Sequence, residues 1–313
     1  MAKWTGMKGL IAALPTPVRD DGCPDLATLD RVIDFVAAAG VDGICVGGAT
    51  GEYPHVETAD RLAVIRRAAE QLPRGLILLV GIGASSLRRT IELGRCAIDH
   101  GAHATLLPAP IFYRYQQEDL QAYVAHVTRT LAAPCLLYDL PEFNTPLVPA
   151  TAFALLRDEE FIIGIKDSSG RTEHLTMFVA ARAEQGWTLL AGDDRLTLRA
   201  LQAGWDGGVS GIAAFCPELP VALFRSHARG DADEAARLQK RLDELVARVV
   251  ALPAPWGVRA GLAARGFDTG PLPLPLSANR ERQIREFTEW LAPWMRDAGS
   301  AMRDAGSVKR DAG

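Results

Sequence analysis

A lysine ends one apolar run of this 313-residue chain, a tyrosine lies near the end of another, and a threonine sits in the glycine-rich turn that follows a third. Lys166 follows Phe161-Ile162-Ile163-Gly164-Ile165 and precedes the turn-like Asp167-Ser168-Ser169-Gly170. The other lysines, Lys3, Lys8, Lys240 and Lys309, interrupt no such run. Apolar walls disfavour an ammonium, so a neutral amine becomes available to attack a carbonyl and form a Schiff base. The competing reading is a lysine that snorkels to the surface or pairs with Asp167. Beside an imine, the phenol of Tyr138 can shuttle protons; by itself it reads equally well as a half-buried aromatic with a satisfied hydroxyl. In Gly48-Ala49-Thr50-Gly51-Glu52, glycines let backbone approach a ligand, and consecutive N–H groups make a nest suited to a carboxylate. The alternative there is a tight strand-to-helix turn. Glu52 is expected to be structural, accepting backbone hydrogen bonds in its turn.

These residues need a scaffold, and the pattern of the chain supplies one. Short apolar runs at 9–15, 41–47, 76–83, 104–108, 135–140, 161–166, 188–191 and 207–211 read as strands. Helical periodicity occupies 26–39, 58–71, 87–100, 117–131, 150–157, 173–184, 196–203 and 219–227. Eight strands, each followed by a helix, predict an α/β fold, a (β/α)8 TIM barrel. An open doubly wound sheet is the competing fold; it would carry a glycine-rich phosphate loop after the first strand, where this chain has Leu14-Pro15-Thr16-Pro17. Barrel enzymes place chemistry at the C-terminal mouths of strands, and Thr50, Tyr138 and Lys166 all lie at such mouths. Beyond the barrel, 234–252 and 279–290 read as further helices, joined by a segment containing Pro271-Leu272-Pro273-Leu274-Pro275. The organisation is therefore read as a barrel over 1–230, a helical extension over 231–295 and a low-complexity tail over 296–313. The tail repeats Arg-Asp-Ala-Gly from Arg296, Arg303 and Arg310. Each repeat ends in glycine and offers too few apolar positions for a coiled coil, so a disordered or fraying terminus is expected.

Hydrophobic residues make up 48% of the chain and charged ones 23%, the balance of a soluble globular protein with a large core. A net charge of −4 leaves no electrostatic footprint for nucleic acid or an anionic membrane, so small molecules are the expected partners. With no apolar stretch of spanning length and no signal-peptide core in Met1-Ala2-Lys3-Trp4-Thr5-Gly6, the expected compartment is the cytoplasm. Cys23, Cys45, Cys96, Cys135 and Cys216 are odd in number and widely spaced, which fits neither a zinc site nor a disulfide frame.

Leu14-Pro15-Thr16-Pro17, Gly48-Ala49-Thr50-Gly51-Glu52, Tyr138-Asp139-Leu140-Pro141, Gly164-Ile165-Lys166-Asp167-Ser168-Ser169, Gly192-Asp193-Asp194 and Val209-Ser210-Gly211 occur in that order over most of the chain. In these motifs the sequence resembles the pyruvate-dependent class I aldolases of the dihydrodipicolinate synthase and N-acetylneuraminate lyase superfamily. The resemblance implies an imine between Lys166 and pyruvate or another 2-oxo acid, with no cofactor beyond that covalent lysine and no metal. It implies proton transfer by Tyr138, carboxylate binding by Thr50 with the Ala49 and Thr50 amides, and a homodimer or homotetramer. Asp193, Asp194 and Ser210 lie where polyhydroxylated substrates could be contacted, against an alternative of loop capping and core packing. Three departures bear on the substrate. Ala49 lacks the hydroxyl that usually links to the catalytic tyrosine; the second relay tyrosine, contributed across an interface, aligns with Phe112, leaving Tyr113 as a possible relay; and the arginine that binds an aldehyde's carboxylate falls at Phe143. The expected activity is therefore cleavage of a 2-keto-3-deoxy sugar acid such as 2-keto-3-deoxygluconate. The alternatives are a synthase-type condensation, a dehydratase or deaminase built on the same imine, and a catalytically weak binding relative.

Overall fold

The computed structural model describes residues 7–182 and 186–307, with side chains to residue 295. Eight parallel strands, β1 (Gly9–Ala13), β2 (Gly43–Val46), β3 (Ile77–Gly81), β4 (Ala104–Pro108), β5 (Cys135–Asp139), β6 (Ile162–Asp167), β7 (Thr188–Ala191) and β8 (Gly207–Ser210), pair in sequence order, and β8 closes onto β1. The helices α1 (Leu26–Ala39), α2 (Thr58–Gln71), α3 (Leu87–Asp99), α4 (Gln117–Leu131), α5 (Pro149–Asp158), α6 (Thr172–Arg182), α7 (Thr197–Ala203) and α8 (Glu218–Ala228) follow the strands in turn. This is the (β/α)8 barrel that the alternation predicts.

Local chemistry sets the helix ends. Asp25 caps α1 by accepting from the Thr28 amide, and Gly40 ends it in the left-handed region at φ 92°. Between those caps Leu29, Val32, Ile33 and Val36 share one buried face, the i, i+3, i+4, i+7 stripe of a helix lying on a sheet. The strands are buried on both faces, so their side chains divide by alternation. Ile11, Cys45, Leu79, Leu106, Leu136, Leu190 and Val209 fill the barrel interior with Tyr138. Their neighbours along the strands, such as Ile44, Leu78, Leu137 and Ile165, join the larger core beneath the helices.

The C-terminal extension differs from expectation in two respects. It holds three helices, not two: α9 (Ala232–Val249), α10 (Trp256–Ala264) and α11 (Ala278–Ser307). The middle one escapes periodicity because it is built from small residues chosen by close packing: a Cβ on Gly257 would meet the Val249 backbone, and one on Gly261 would press on the Phe215 ring. The second difference is the tail, expected to fray: α11 runs through the repeats at Arg296 and Arg303 to Ser307. Alanine, methionine and arginine between the glycines favour the helix enough to carry it through. The third repeat, at Arg310, and the expected helix end at Glu184 lie outside the described residues. Leu238, Leu242 and Leu245 of α9 are buried in the same core as the barrel helices, each such burial contributing about 1.5–3 kcal/mol. Among the described residues no helix is long and apolar enough to cross a membrane.

Candidate active site

Strands β5 and β6 run in register with Tyr138 opposite Lys166 and Asp139 opposite Asp167. Alternation therefore sends Tyr138 and Lys166 to the barrel interior at its C-terminal mouth. Both are nearly excluded from water, at 3% and 5% exposure, and the Lys166 Nζ lies 4.1 Å from the centre of the Tyr138 ring. The snorkelling alternative is thus overturned: apolar side chains of neighbouring strands enclose the lysine, and Asp167 is on the opposite face, bonded elsewhere. Gly192 makes room for the amine, since a Cβ there would overlap Lys166 Cε and Ser168 Oγ. The Ser168 hydroxyl is buried without a hydrogen-bond partner among the described residues. Across the barrel interior, on β2, Cys45 is buried, which pushes its thiol up to about 11, although the positive charge of Lys166 opposes the rise.

The turn after β2 is held from three sides. Thr16, in the Leu-Pro-Thr-Pro motif, donates its hydroxyl to the Gly51 carbonyl at 2.9 Å. The buried guanidinium of Arg61 on α2 donates to the Gly47 carbonyl of the turn at 3.5 Å and to the carbonyls of Gly83 at 2.7 Å and Gly81 at 2.9 Å at the end of β3, while burial lowers it to about 10. Gly47 takes φ 67°, and a Cβ on Gly51 would press on the Gly47 amide, so these glycines permit the close fold of the turn. Ala49 packs against the barrel interior, and Thr50 lies beside Gly211, whose added Cβ would be 3.6 Å from the Thr50 Oγ1. Glu52 is structural, but its partner is not the backbone expected: it accepts from Arg259 of α10 at 3.1 Å, both groups being buried. Arg259 also donates to the carbonyls of Thr269, Gly270 and Pro271, so one side chain ties the C-terminal extension to the β2 turn.

On the β7–β8 side, Ser210 accepts from the Ala213 amide at 3.0 Å, and Asp193 accepts from the Arg195 amide and pairs with its guanidinium at 2.7 Å. Those bonds are the loop capping weighed as the alternative for these residues. Asp194 is different. Its carboxyl is raised to about 6, by burial first and neighbouring Asp193 in addition, against a lowering by Ser210 and by the charge of Lys166. A protonatable acid thus stands within electrostatic reach of the amine.

The remaining predicted positions lie outside this group. Phe112 and Tyr113 stand on the surface, 89% and 67% exposed, with rings 4.9 Å apart edge to face. Phe112 adopts φ 81°, a strained value for a residue with a Cβ. Within one chain, then, Tyr113 is not folded into the pocket. Phe143 is half-exposed, and Arg114 donates to the Asn144 carbonyl at 2.9 Å. Periodicity gave no warning of Tyr53, a buried phenol raised by desolvation and by its nearness to Tyr138, with Arg61 5.4 Å from the centre of its ring. Its place directly after Glu52 was the only signal.

Beside the β2 turn is a cavity of about 500 Å3 lined by Ala49, Thr50, Glu142, Arg195, Val258 and Arg280, with residues 249–255 forming one wall. That volume holds a small sugar acid. A groove of about 740 Å3 lies elsewhere, on the helices α2 and α3, lined by Arg66, Arg88 and Arg95, and is remote from the strand mouths.

The sequence model of the dihydrodipicolinate synthetase family matches residues 6–292. A 4-hydroxy-tetrahydrodipicolinate synthase of Methylibium petroleiphilum is 32% identical over 86% of this chain and 92% of that protein. A probable 2-dehydro-3-deoxy-D-pentonate aldolase of Escherichia coli, YjhH, is 30% identical over 79% of this chain and 83% of that protein. Among solved structures, the E. coli prophage protein YagE in complex with pyruvate superposes with a TM-score of 0.85 at 27% identity, covering 92% of this chain and 98% of that one. With the family match running from before β1 into α11, this chain belongs to the dihydrodipicolinate synthetase family of Schiff-base-forming carbon–carbon lyases.

Proposed function

We propose that this enzyme cleaves a 2-keto-3-deoxy sugar acid, such as 2-keto-3-deoxygluconate, to pyruvate and an aldehyde through an imine on Lys166. The observation that carries this reading is the buried Lys166 amine held 4.1 Å from the Tyr138 ring centre at the mouth of a barrel. The amine attacks the C2 carbonyl and water leaves, giving a protonated imine that can accept an electron pair. The Tyr138 phenol gives its proton to the departing water, and the resulting phenolate takes the proton of the C4 hydroxyl as the C3–C4 bond breaks and the aldehyde departs. The electron pair of that bond becomes the enamine, which is protonated at C3; water then hydrolyses the imine and frees pyruvate. In this scheme Thr50 and the Ala49 and Thr50 amides hold the carboxylate. Asp193, Asp194 and Ser210 face the sugar hydroxyls, with Asp194 the best placed to exchange a proton. Exposed Phe112 and Tyr113 support a homodimer or homotetramer, in which Tyr113 serves as a relay only if a partner subunit receives it.

The substrate choice rests on Phe143. A synthase-type condensation brings in aspartate semialdehyde, whose carboxylate finds no arginine at this position, and Arg114 is engaged with the Asn144 carbonyl. Losing a charge-assisted hydrogen bond costs about 1.5–3 kcal/mol, or roughly 10- to 150-fold in transition-state binding. Cleavage of 2-keto-3-deoxygluconate is expected to exceed condensation of pyruvate with aspartate semialdehyde in kcat/KM on one preparation. A faster condensation would overturn the substrate assignment and show that another residue, with Arg114 the first candidate, supplies the missing charge.

A further inference from the structure

Directly behind the reactive pair, on the outer face of the same two strands, is a second set of ionisable groups that the proposed chemistry does not use. Asp139 and Asp167 are paired in register, as Tyr138 and Lys166 are, but alternation turns them toward the helices. There they meet His174 of α6, and the potential ligating atoms of all three lie within 4.8 Å of one another. Each residue is buried. The Asp167 Oδ2 is 2.7 Å from His174 Nδ1, and its Oδ1 accepts from the Ser169 amide at 2.7 Å. Asp139 Oδ1 accepts from the Leu147 amide at 3.0 Å. The backbone locks at the same level: the Ser168 amide donates to the Asp139 carbonyl at 2.9 Å, and the Gly192 amide to the Asp167 carbonyl at 2.8 Å.

Two carboxylates this close and this dry repel unless a positive group stands with them. His174 is placed to be that group. A metal ion suits the set less well, because Asp167 has both oxygens engaged and the adjoining crevice holds only about 10 Å3. The other charges near the imidazole act on it in opposite directions: Asp139 supports its protonation and Arg171, from the turn before α6, opposes it. Asp193, held by Arg195, lines the crevice beyond. Phe178 packs edge-on against the ring at 5.6 Å and keeps that side apolar.

We propose that Asp139, Asp167 and His174 are positioning residues, a buried unit that holds the strand ends bearing Tyr138 and Lys166 in catalytic register and is closed by the proton on His174. The inference rests on the assignment of Lys166 and Tyr138 above. When His174 loses its charge, the carboxylates face each other uncompensated and the register between β5 and β6 loosens. Misplacing reacting groups by about 1 Å costs roughly 100-fold in rate.

Exchange of the pyruvate methyl protons with D2O tests this, because it requires the imine and a proton shuttle but no aldehyde. The imidazole of His174 is titrated in parallel by NMR, and the Lys166 adduct is trapped with borohydride. In the wild type, exchange is expected to fall reversibly at alkaline pH in step with the His174 titration. Asp139→Asn removes one facing carboxylate, so the imidazole titration should move to lower pH while the alkaline limb of exchange flattens, because no second carboxylate remains to be compensated. His174→Gln should lower exchange kcat roughly 10- to 100-fold and flatten that limb, with KM for pyruvate nearly unchanged. If His174→Gln does not fold, the flattened limb in Asp139→Asn decides. An alkaline limb that stays in place while the imidazole titration moves would overturn the positioning role alone. Absence of any adduct on Lys166 in the wild type would instead bring down the imine assignment and this inference with it.

Discussion

Tyr138 and Asp139 are consecutive, as are Lys166 and Asp167, yet the inner and outer members of these pairs live in opposite surroundings. Inside the barrel the amine meets an aromatic face, a buried thiol and an unpartnered serine hydroxyl, and no carboxylate is hydrogen-bonded to it among the described residues. Outside, the carboxylates are bonded to backbone amides and to an imidazole. The two-residue period of a strand thus separates reactivity from support within four positions. A group that must react is left under-bonded; the carboxylates that steady its backbone are hydrogen-bonded to amides of their own loops.

The comparison breaks most sharply at Lys166. Lys166→Ala should abolish the borohydride-stabilised pyruvate adduct completely while the circular dichroism of the barrel persists; mass mapping of an adduct to any other lysine would remove the inner face as the site of the imine. Next in size is Tyr138→Phe. It keeps the ring and its packing, so folding and much of the trapping should survive while turnover drops about 10²–10⁴-fold, the range for a positioned acid–base group. Near-normal turnover would return Tyr138 to a packing role.

The outer face should answer in stability as well as in the exchange rate. Asp139 is raised from 3.8 to about 6, by burial first and Asp167 in addition. Its folded value exceeds its unfolded one, so the fold favours the protonated acid. The resulting cost is absent below pH 4 and grows until about pH 6, reaching up to about 3 kcal/mol. His174 is also raised, chiefly by its hydrogen bond to Asp167; its contribution is fully present below its ordinary 6.5 and is lost as pH rises through the higher folded value. Both effects weaken the protein toward alkaline pH. Asp139→Asn should therefore unfold at higher urea than the wild type at pH 8 and at nearly the same urea at pH 4. Equal midpoints at pH 8 would show that the carboxylate is compensated by groups other than His174.

How much of this was readable without coordinates depends on the range of the interactions. The eight apolar runs identify the strands because burial on both faces leaves continuous hydrophobic segments, and a lysine or tyrosine ending such a run can only stand at a mouth. Thr50, Tyr138 and Lys166 were legible for that reason. The Glu52–Arg259 pair was not, since it joins residues that no periodicity connects and satisfies a buried charge from a helix whose small residues conceal its pattern. His174 was equally silent, because α6 exposes Met177 beside Glu173 and Thr176 while burying the histidine with Leu175 and Phe178, so its sequence shows no clean division into apolar and polar faces. Asp139 and Asp167 were visible as residues but not as a pair: only the strand register sets them opposite each other.

The wall of the mouth cavity formed by residues 249–255 comes from the link between α9 and α10, and Arg259 fastens the following segment to the β2 turn. On the proposed reading, the wall that a substrate would meet in this cavity is therefore encoded separately from the strands that carry Tyr138 and Lys166. Evolution or an engineer can exchange that C-terminal stretch between relatives and alter which aldehyde is accommodated while Lys166 and Tyr138 stay untouched. Recombination at this junction is a route to new acceptors on an unchanged imine chemistry, provided that the graft keeps an arginine able to reach Glu52.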